Sequence, residues 1–286
     1  MLIVTGASGK LGRKVVENLL LHMPAREIGV SVRDPNKVLE LEESGVRVRQ
    51  GDFSDAASLR HAWAGAKRLL LISSNAAATG GNPLEQHATA ISVARDIGVE
   101  RIFYTSQISS SATSYFPPGR DHAATEAMLA ESGIAWTAMR HGFYAASALM
   151  MNKRGFDAGK LEGPEDGKVA WATHEDLAAA DTELLVGHAV VDGPTAPLTG
   201  SESLDLADLA LIAGEILGKP VSRTVVSEEQ VEANARAAGV PEGAVAVMLG
   251  YYRAARAGEF AATDPALSRI LGRAPESMRT FLKTNL

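Results

Sequence analysis

The sequence contains no cysteine. This excludes a disulfide framework, a thiolate nucleophile and a cysteine-ligated zinc site. It also suits a reducing compartment, and a cytoplasmic protein is expected. No apolar run approaches the ~18 residues that cross a bilayer. The N-terminus opens as a short apolar strand followed by glycines, without the basic start and long apolar stretch of a secretory signal. No membrane role is expected. Positive charge is not in excess: 28 Lys and Arg stand against 34 Asp and Glu, giving a net charge of −6. That argues against a basic face for direct nucleic-acid binding. No His, Asp or Glu spacing suggests a metal site; His174-Glu175 lacks the second histidine of a zincin, because position 178 is Ala178. Ser73, Ser106 and the serines at 109–111 lack a G-x-S-x-G elbow, so a hydrolase is not expected.

Hydrophobic residues make up 46% of the chain and charged residues 22%, the balance of a folded globular protein. The length of 286 residues suggests about two domains. Through the first half, short β-branched or apolar runs at 2–5, 28–32, 46–50, 68–72, 101–106 and 136–139 alternate with helical patterns at 10–21, 82–97 and 121–132. In the first of these helices Leu11, Val15, Val16, Leu19 and Leu20 fall on one face. Such alternation predicts an α/β fold with a parallel sheet flanked by helices, doubly wound by right-handed crossovers. After about residue 150 the pattern loosens. Residues 155–167, with four glycines and a proline, read as a loop or hairpin. Thr173 reads as a helix N-cap, 204–217 as a helix stopped by Gly218 and Pro220, and 221–227 as a strand. Met150 and Met151 are expected to fill core. The expected division is a sheet domain over 1–150, with 168–190 returning to it, and a smaller, mainly helical domain from the remainder of 151–286.

Glycine is in excess, at 27 residues, roughly 9% of the chain against a usual ~7%. Three of the 27 define the strongest motif, Thr5-Gly6-Ala7-Ser8-Gly9-Lys10-Leu11-Gly12. It leaves the first strand and opens the first helix. Gly6 permits a tight turn, Gly9 a close approach of backbone to a pyrophosphate, and Gly12 packing at the helix start, whose free N–H groups then face an anion. A purely structural glycine-rich turn is the alternative; the strand before and helix after favour dinucleotide binding, and with it a Rossmann domain. At the end of the second strand Arg33, with Lys37 one helical turn on, suits a ribose 2′-phosphate, which favours NADP(H) over NAD(H). Asp34 competes as an acid for the NAD ribose. Asp52 and Phe53, after the third strand, are placed for adenine, although Asp52 could instead belong to a turn and Asp55 could cap the next helix. Ser73, Ser74 and Asn75 end the fourth strand, and Thr105 and Ser106 the fifth, at the edge where open α/β sheets bind ligands.

These features resemble the extended, atypical short-chain dehydrogenase/reductase family, nearest its NmrA-like subgroup, which includes NAD(P)H-dependent quinone and dye reductases as well as NAD(P)-sensing regulators. The likeness rests on the motif at 5–12, Arg33, Gly51-Asp52-Phe53 and Tyr104-Thr105-Ser106. Further matches are Asp121-His122 with Thr125-Glu126, Arg140-His141-Gly142-Phe143-Tyr144, the stretch at 173–178 and the tail at 271–281. It implies hydride transfer to a quinone-like or other conjugated electrophile held in a cleft between the two domains, with His141, Phe143 and Tyr144 on the substrate side. A homodimer is compatible with it. Ordinary short-chain dehydrogenases use a Tyr-x-x-x-Lys pair, in which lysine lowers the tyrosine pKa. Here the residues four positions after the five tyrosines are Ile108, Gly119, Ala148, Ala255 and Arg256. The corresponding helix carries His122 and Glu126, which makes His122 the candidate catalytic group. In the resembling quinone reductases the segment after Arg140 reads Asn-Gly-Trp-Tyr and ends in Glu-Asn; here the aromatic pair is kept in type and the polar end is replaced by Ala145-Ala146-Ser147. A strongly electrophilic acceptor needs positioning against the hydride more than a tuned acid. The other readings are a regulator that senses the nucleotide and, less well supported, an epimerase.

Overall fold

The computed structural model describes residues 1–187 and 191–286, side chains at 78 and 79 excepted. The first half alternates as its apolar runs predict: β1 (Leu2–Thr5), α1 (Lys10–His22), β2 (Ile28–Val32), α2 (Leu39–Glu43), β3 (Arg47–Gln50), α3 (Ala56–Ala62), β4 (Arg68–Leu71), α4 (Pro83–Asp96), β5 (Arg101–Gln107), α5 (Pro117–Glu131) and β6 (Ala135–His141). There follow β7 (Phe143–Tyr144), α6 (Ala145–Ala158), β8 (Lys160–Gly163), β9 (Val169–Ala172), α7 (His174–Val186), β10 (Gly193–Pro194), β11 (Ser203–Leu204), α8 (Leu206–Leu217) and β12 (Ser222–Val225), and the rest is helical.

Every residue of β1 and of β2 is buried, as a parallel sheet covered on both faces requires. Seven strands pair in the order β10-β6-β5-β4-β1-β2-β3. β1 pairs in parallel with both β2 and β4, so the chain reverses its direction of travel across the sheet at β1. Ligands of such sheets bind at the carboxyl ends of the strands beside that reversal.

Contacts divide the chain into two units. The first comprises Met1–Ser106, Asp121–Arg140 and Leu177–Ala196. Its core runs from Ile3, Leu69, Leu71 and Ile102 on the strands to Ile91 and Leu129 on the helices and Trp63 just after α3. The second comprises Gln107–Arg120, His141–Asp176 and Pro197–Leu286. Phe116, Phe156, Trp171, Leu209, Tyr251, Phe260 and Leu282 fill its core. The division is finer than one boundary near 150. Of the stretch 168–190, Val169 and Trp171 pack in the second core, Leu177–Val186 lies in the first unit, and 188–190 lie outside the described residues.

Two expectations for the region after 144 are corrected. The glycine-rich run from 155 does not open a loop: α6 continues through Gly155 and ends at Gly159 in the left-handed region, φ 72°. A Cβ on Gly155 would lie 2.7 Å from the Lys160 carbonyl. That glycine therefore serves a close approach of β8 rather than a break in the helix. Nor is this a hairpin, since β8 pairs in parallel with β12, some sixty residues on. Met150 and Met151, expected in the core, are 74% and 47% exposed. The buried face of α6 is set by Ala145, Ala148, Asn152 and Phe156, at helical spacing, and the two methionines fall off it. Among the described residues no helix is long and apolar enough to cross a membrane.

Candidate functional site

The turn after β1 is built on Gly6, whose φ of +63° is one that residues with a Cβ rarely adopt. Gly12 is required for a different reason. A Cβ there would stand 2.6 Å from the Gly6 carbonyl and 2.9 Å from Ile72 Cδ1. The helix can therefore start directly above the turn only with glycine at both positions. Gly9 caps α1 with no side chain accepting its first amides, and the first turn contains no acid. This leaves a positive helix end facing outward.

A pocket of about 350 Å³ opens in front of this turn, at the carboxyl edge of β1 to β4. It gathers Gly6 and Ser8 from the turn, Arg33 from the end of β2, Asp52 and Phe53 after β3, and Ser73, Ser74 and Asn75 after β4. Ala7, Gly9, Lys10, Leu11, Gly12 and Lys37 do not line it. Ala7 and Leu11 are buried beneath the turn, whereas Lys10 and Lys37 are exposed. Arg13 ties down the segment carrying Lys37 by donating to the Lys37 carbonyl (2.9 Å) and pairing with Glu40.

Arg33 and Asp34 are separated by what their side chains do. The Asp34 carboxylate accepts from the Asn36 amide at 3.1 Å and from its side chain at 3.2 Å, capping the short helical turn that follows. Arg33 is exposed at the pocket wall. After β3 the two acids also divide their work. Asp55 caps α3 by accepting from the amides of Ala57 and Ser58, and Asp52 accepts from the Ser54 amide at 2.8 Å. Phe53 lines the pocket with its ring edge-on to Trp63, centroids 6.5 Å apart.

The wall after β4 is held by side chains from three other elements. The Ile72 amide donates to Thr5 Oγ1, the Ser73 amide to Thr105 Oγ1 (both 2.9 Å), and the Ser74 amide to His87 Nε2 (2.8 Å). The Ser74 hydroxyl accepts from the Ala76 amide at 3.1 Å and is bonded to Gln86, which reaches across to Ser54 at 2.9 Å. Thr105 thus supports the pocket from behind and does not line it.

Ser106 is also buried, and its hydroxyl donates to Glu126 Oε1 at 2.6 Å. The same carboxylate takes a two-point ion pair from Arg140, through Nε at 3.1 Å and the terminal nitrogen at 2.7 Å. One turn earlier on α5, His122 Nδ1 is bonded to the Tyr104 hydroxyl at 2.8 Å. At the four-residue spacing of a Tyr-x-x-x-Lys pair, α5 therefore holds an imidazole bound to a buried phenol, and a carboxylate bound to a guanidinium.

A family model described as NAD(P)H-binding matches residues 6–184, more than half of the chain. The chain belongs to this NmrA-like, NAD(P)H-binding family. It is 34% identical over 275 residues to quinone oxidoreductase 2 of Escherichia coli K12, covering 95% of this chain and 94% of the relative. The crystal structure of an NADPH-dependent quinone oxidoreductase from Escherichia coli, complexed with NADPH, superposes with a TM-score of 0.92 at 33% identity, covering 99% of each chain. The Citrobacter sp. triphenylmethane reductase complexed with NADP(H) gives 0.89 at 30% identity, with full coverage of both.

The three residues expected on the substrate side of this family member all lie in the second unit. His141 is 1% exposed and its carbonyl accepts from the Ile108 amide at 3.0 Å. Phe143 is locked in an aromatic cluster, 5.1 Å from Tyr251 and from Phe260 and 5.7 Å from Trp171. It is partly buried and packs against the core of that unit. Tyr144 lies against His174, centroids 4.5 Å apart. The pocket also includes residues that the motifs do not single out: Ser31, Val32, Ile72, Ala76, Gly80, Gly81 and Gln86. Gly80-Gly81 was the legible cue, a glycine pair one short turn after a strand end. His87 showed none, because a lone histidine in a helix has no motif.

Proposed function

We propose that the chain binds NADPH along the carboxyl edge of the seven-stranded sheet and passes a hydride to a quinone-like or other conjugated electrophile. The observation that carries this reading is the convergence on one pocket of the glycine turn, an exposed arginine and the Asp52-Phe53 pair. In this reading the amides from Ala7 through Gly12, Ser8 and Lys10 take the pyrophosphate. Arg33, with Lys37 behind it, takes the 2′-phosphate; the commitment of Asp34 to a cap supports NADPH over NADH. Asp52 and Phe53 meet the adenine. Ser73 and Asn75 face the ribose, while Thr105 and Ser106 act through the groups they hold. The bound nicotinamide supplies the hydride. His122, steadied by Tyr104, supplies a proton to the reduced acceptor, and His141 and Tyr144 stand on the acceptor side. The cytoplasm is the proposed compartment.

The test is oxidation of NADPH followed at the nicotinamide absorbance with a panel of quinones, azo dyes and triphenylmethane dyes. Turnover with at least one class is expected. NADPH binding without turnover of any acceptor would overturn the reductase reading. It would favour a nucleotide sensor, which the absent Tyr-x-x-x-Lys pair supports.

A further inference from the structure

Three successive amides, those of Ile72, Ser73 and Ser74, are each accepted by a side chain distant in sequence. Two acceptors are threonine hydroxyls. The third is the ring of His87, on the second turn of α4 and 1% exposed. Its other nitrogen, Nδ1, lies 2.8 Å from Thr125 Oγ1. The Thr125 hydroxyl donates to the Asp121 carbonyl at 2.8 Å, so it has only lone pairs to offer the ring. One proton arrangement satisfies every group: Nδ1–H donates to Thr125, and bare Nε2 accepts from Ser74. The other neutral tautomer would set two hydrogens against each other at Ser74, and a charged ring would do the same. The groups facing the ring are uncharged in this arrangement: Thr125 from α5, Tyr104 from β5 at 5.5 Å, edge to face, and Ser74 from the pocket wall. Burial also holds the imidazole neutral, with its pKa pushed down to about 4.

We propose that His87 is a positioning residue for the nucleotide pocket: through a tautomer set by Thr125 it fixes the Ser74 amide and hence the wall at 73–76. The inference rests on the reading of that pocket as the NADPH site. Neither His87 nor Thr125 lines the pocket itself. Gln86, the preceding residue of α4, holds the Ser74 hydroxyl, so two consecutive residues fix the amide and the hydroxyl of Ser74.

The test compares NADPH affinity, steady-state constants and thermal unfolding for the whole chain and three variants. His87→Phe leaves the Ser74 amide without an acceptor, and NADPH should bind about tenfold more weakly. His87→Gln, whose Oε1 can stand in for Nε2, should restore most of that loss. Thr125→Val frees the ring to move its proton to Nε2, and should weaken NADPH by about three- to fivefold. In each case KM for NADPH rises while kcat at saturating NADPH holds, a split that general destabilisation would not produce. Nitrogen-15 NMR of the wild-type imidazole should show Nδ1 protonated and Nε2 bare. If His87→Phe does not fold, Thr125→Val and the NMR tautomer decide the matter. Unchanged NADPH affinity in folded His87→Phe or in Thr125→Val, or a wild-type proton on Nε2, overturns the proposal while the pocket reading stands. A wild-type chain that fails to bind NADPH overturns the pocket reading itself.

Discussion

The phenol of buried Tyr104 and Nδ1 of His122 are hydrogen-bonded at 2.8 Å, joining β5 to α5. Four residues further along the same helix, Glu126 is ion-paired with Arg140 and accepts a hydrogen bond from Ser106. A lysine in that place would lower the pKa of a neighbouring hydroxyl. A carboxylate already paired exerts no such pull. In the proposed reaction the proton donor is therefore the imidazole, which Tyr104 holds through Nδ1.

Replacing His122 with Phe removes that donor and leaves the nucleotide pocket intact. The expected result is a kcat lowered by about 10²-fold with the poorest electrophiles, the low end for general acid catalysis. NADPH affinity should stay within about twofold of wild type. Tyr104→Phe should give a smaller loss and move the pH dependence of kcat, since it changes what the ring is bonded to. Stopped-flow rates for a series of acceptors of graded reduction potential check this. Equal loss for all acceptors would point to misplacement of the substrate and not to a missing proton.

Arg33 is exposed at the pocket wall while the adjacent Asp34 is occupied as a cap. Arg33→Ala should therefore weaken NADPH by about tenfold or more, the worth of a charge-assisted contact, and leave NADH nearly unchanged. Titration of both nucleotides against wild type and variant measures the difference. Equal losses would remove the 2′-phosphate assignment.

The buried His87 also makes stability depend on pH with a definite sign. Its folded pKa of about 4 lies below the ordinary 6.5. Between those values the unfolded chain takes up a proton that the native chain refuses. Stability contributed at neutral pH is thus lost as pH falls from about 6.5 towards 4, by up to about 3 kcal/mol. Urea unfolding across this window should show a steeper acid decline for wild type than for His87→Gln. Parallel curves would show that the ring titrates normally.

The glycine turn could be read from the sequence because much of its geometry is local: Gly6 and Gly12 are six residues apart, and a Cβ on Gly12 would meet the Gly6 carbonyl first, with Ile72 closing the space from afar. Strands β1, β2 and β4 were legible for a similar reason, since parallel strands buried on both faces read as short apolar runs. The rest of the site depends on contacts between residues far apart in the chain. Thr5 meets the Ile72 amide across 67 residues, and His87 meets Thr125 across 38. Only the folded sheet brings these together. The same distinction explains the errors beyond residue 144. Gly155 looks like a helix breaker until β8 is seen passing over it, and Met150 and Met151 look like core until α6 turns them outward. Ser74 and Thr105 lie at the carboxyl edge of the strands, as the sequence predicts, but their hydroxyls are largely engaged in holding the wall.

The three amides at 72–74 are all turned to side-chain acceptors within the protein. Those three N–H groups are consequently spent inside the protein, and a ligand on that side of the pocket meets the side chains of Ser73 and Asn75 in their place. The start of α1 and Arg33, by contrast, bring unsatisfied N–H groups and positive charge to the pocket. The anionic groups of a bound molecule are therefore drawn to one end of the pocket.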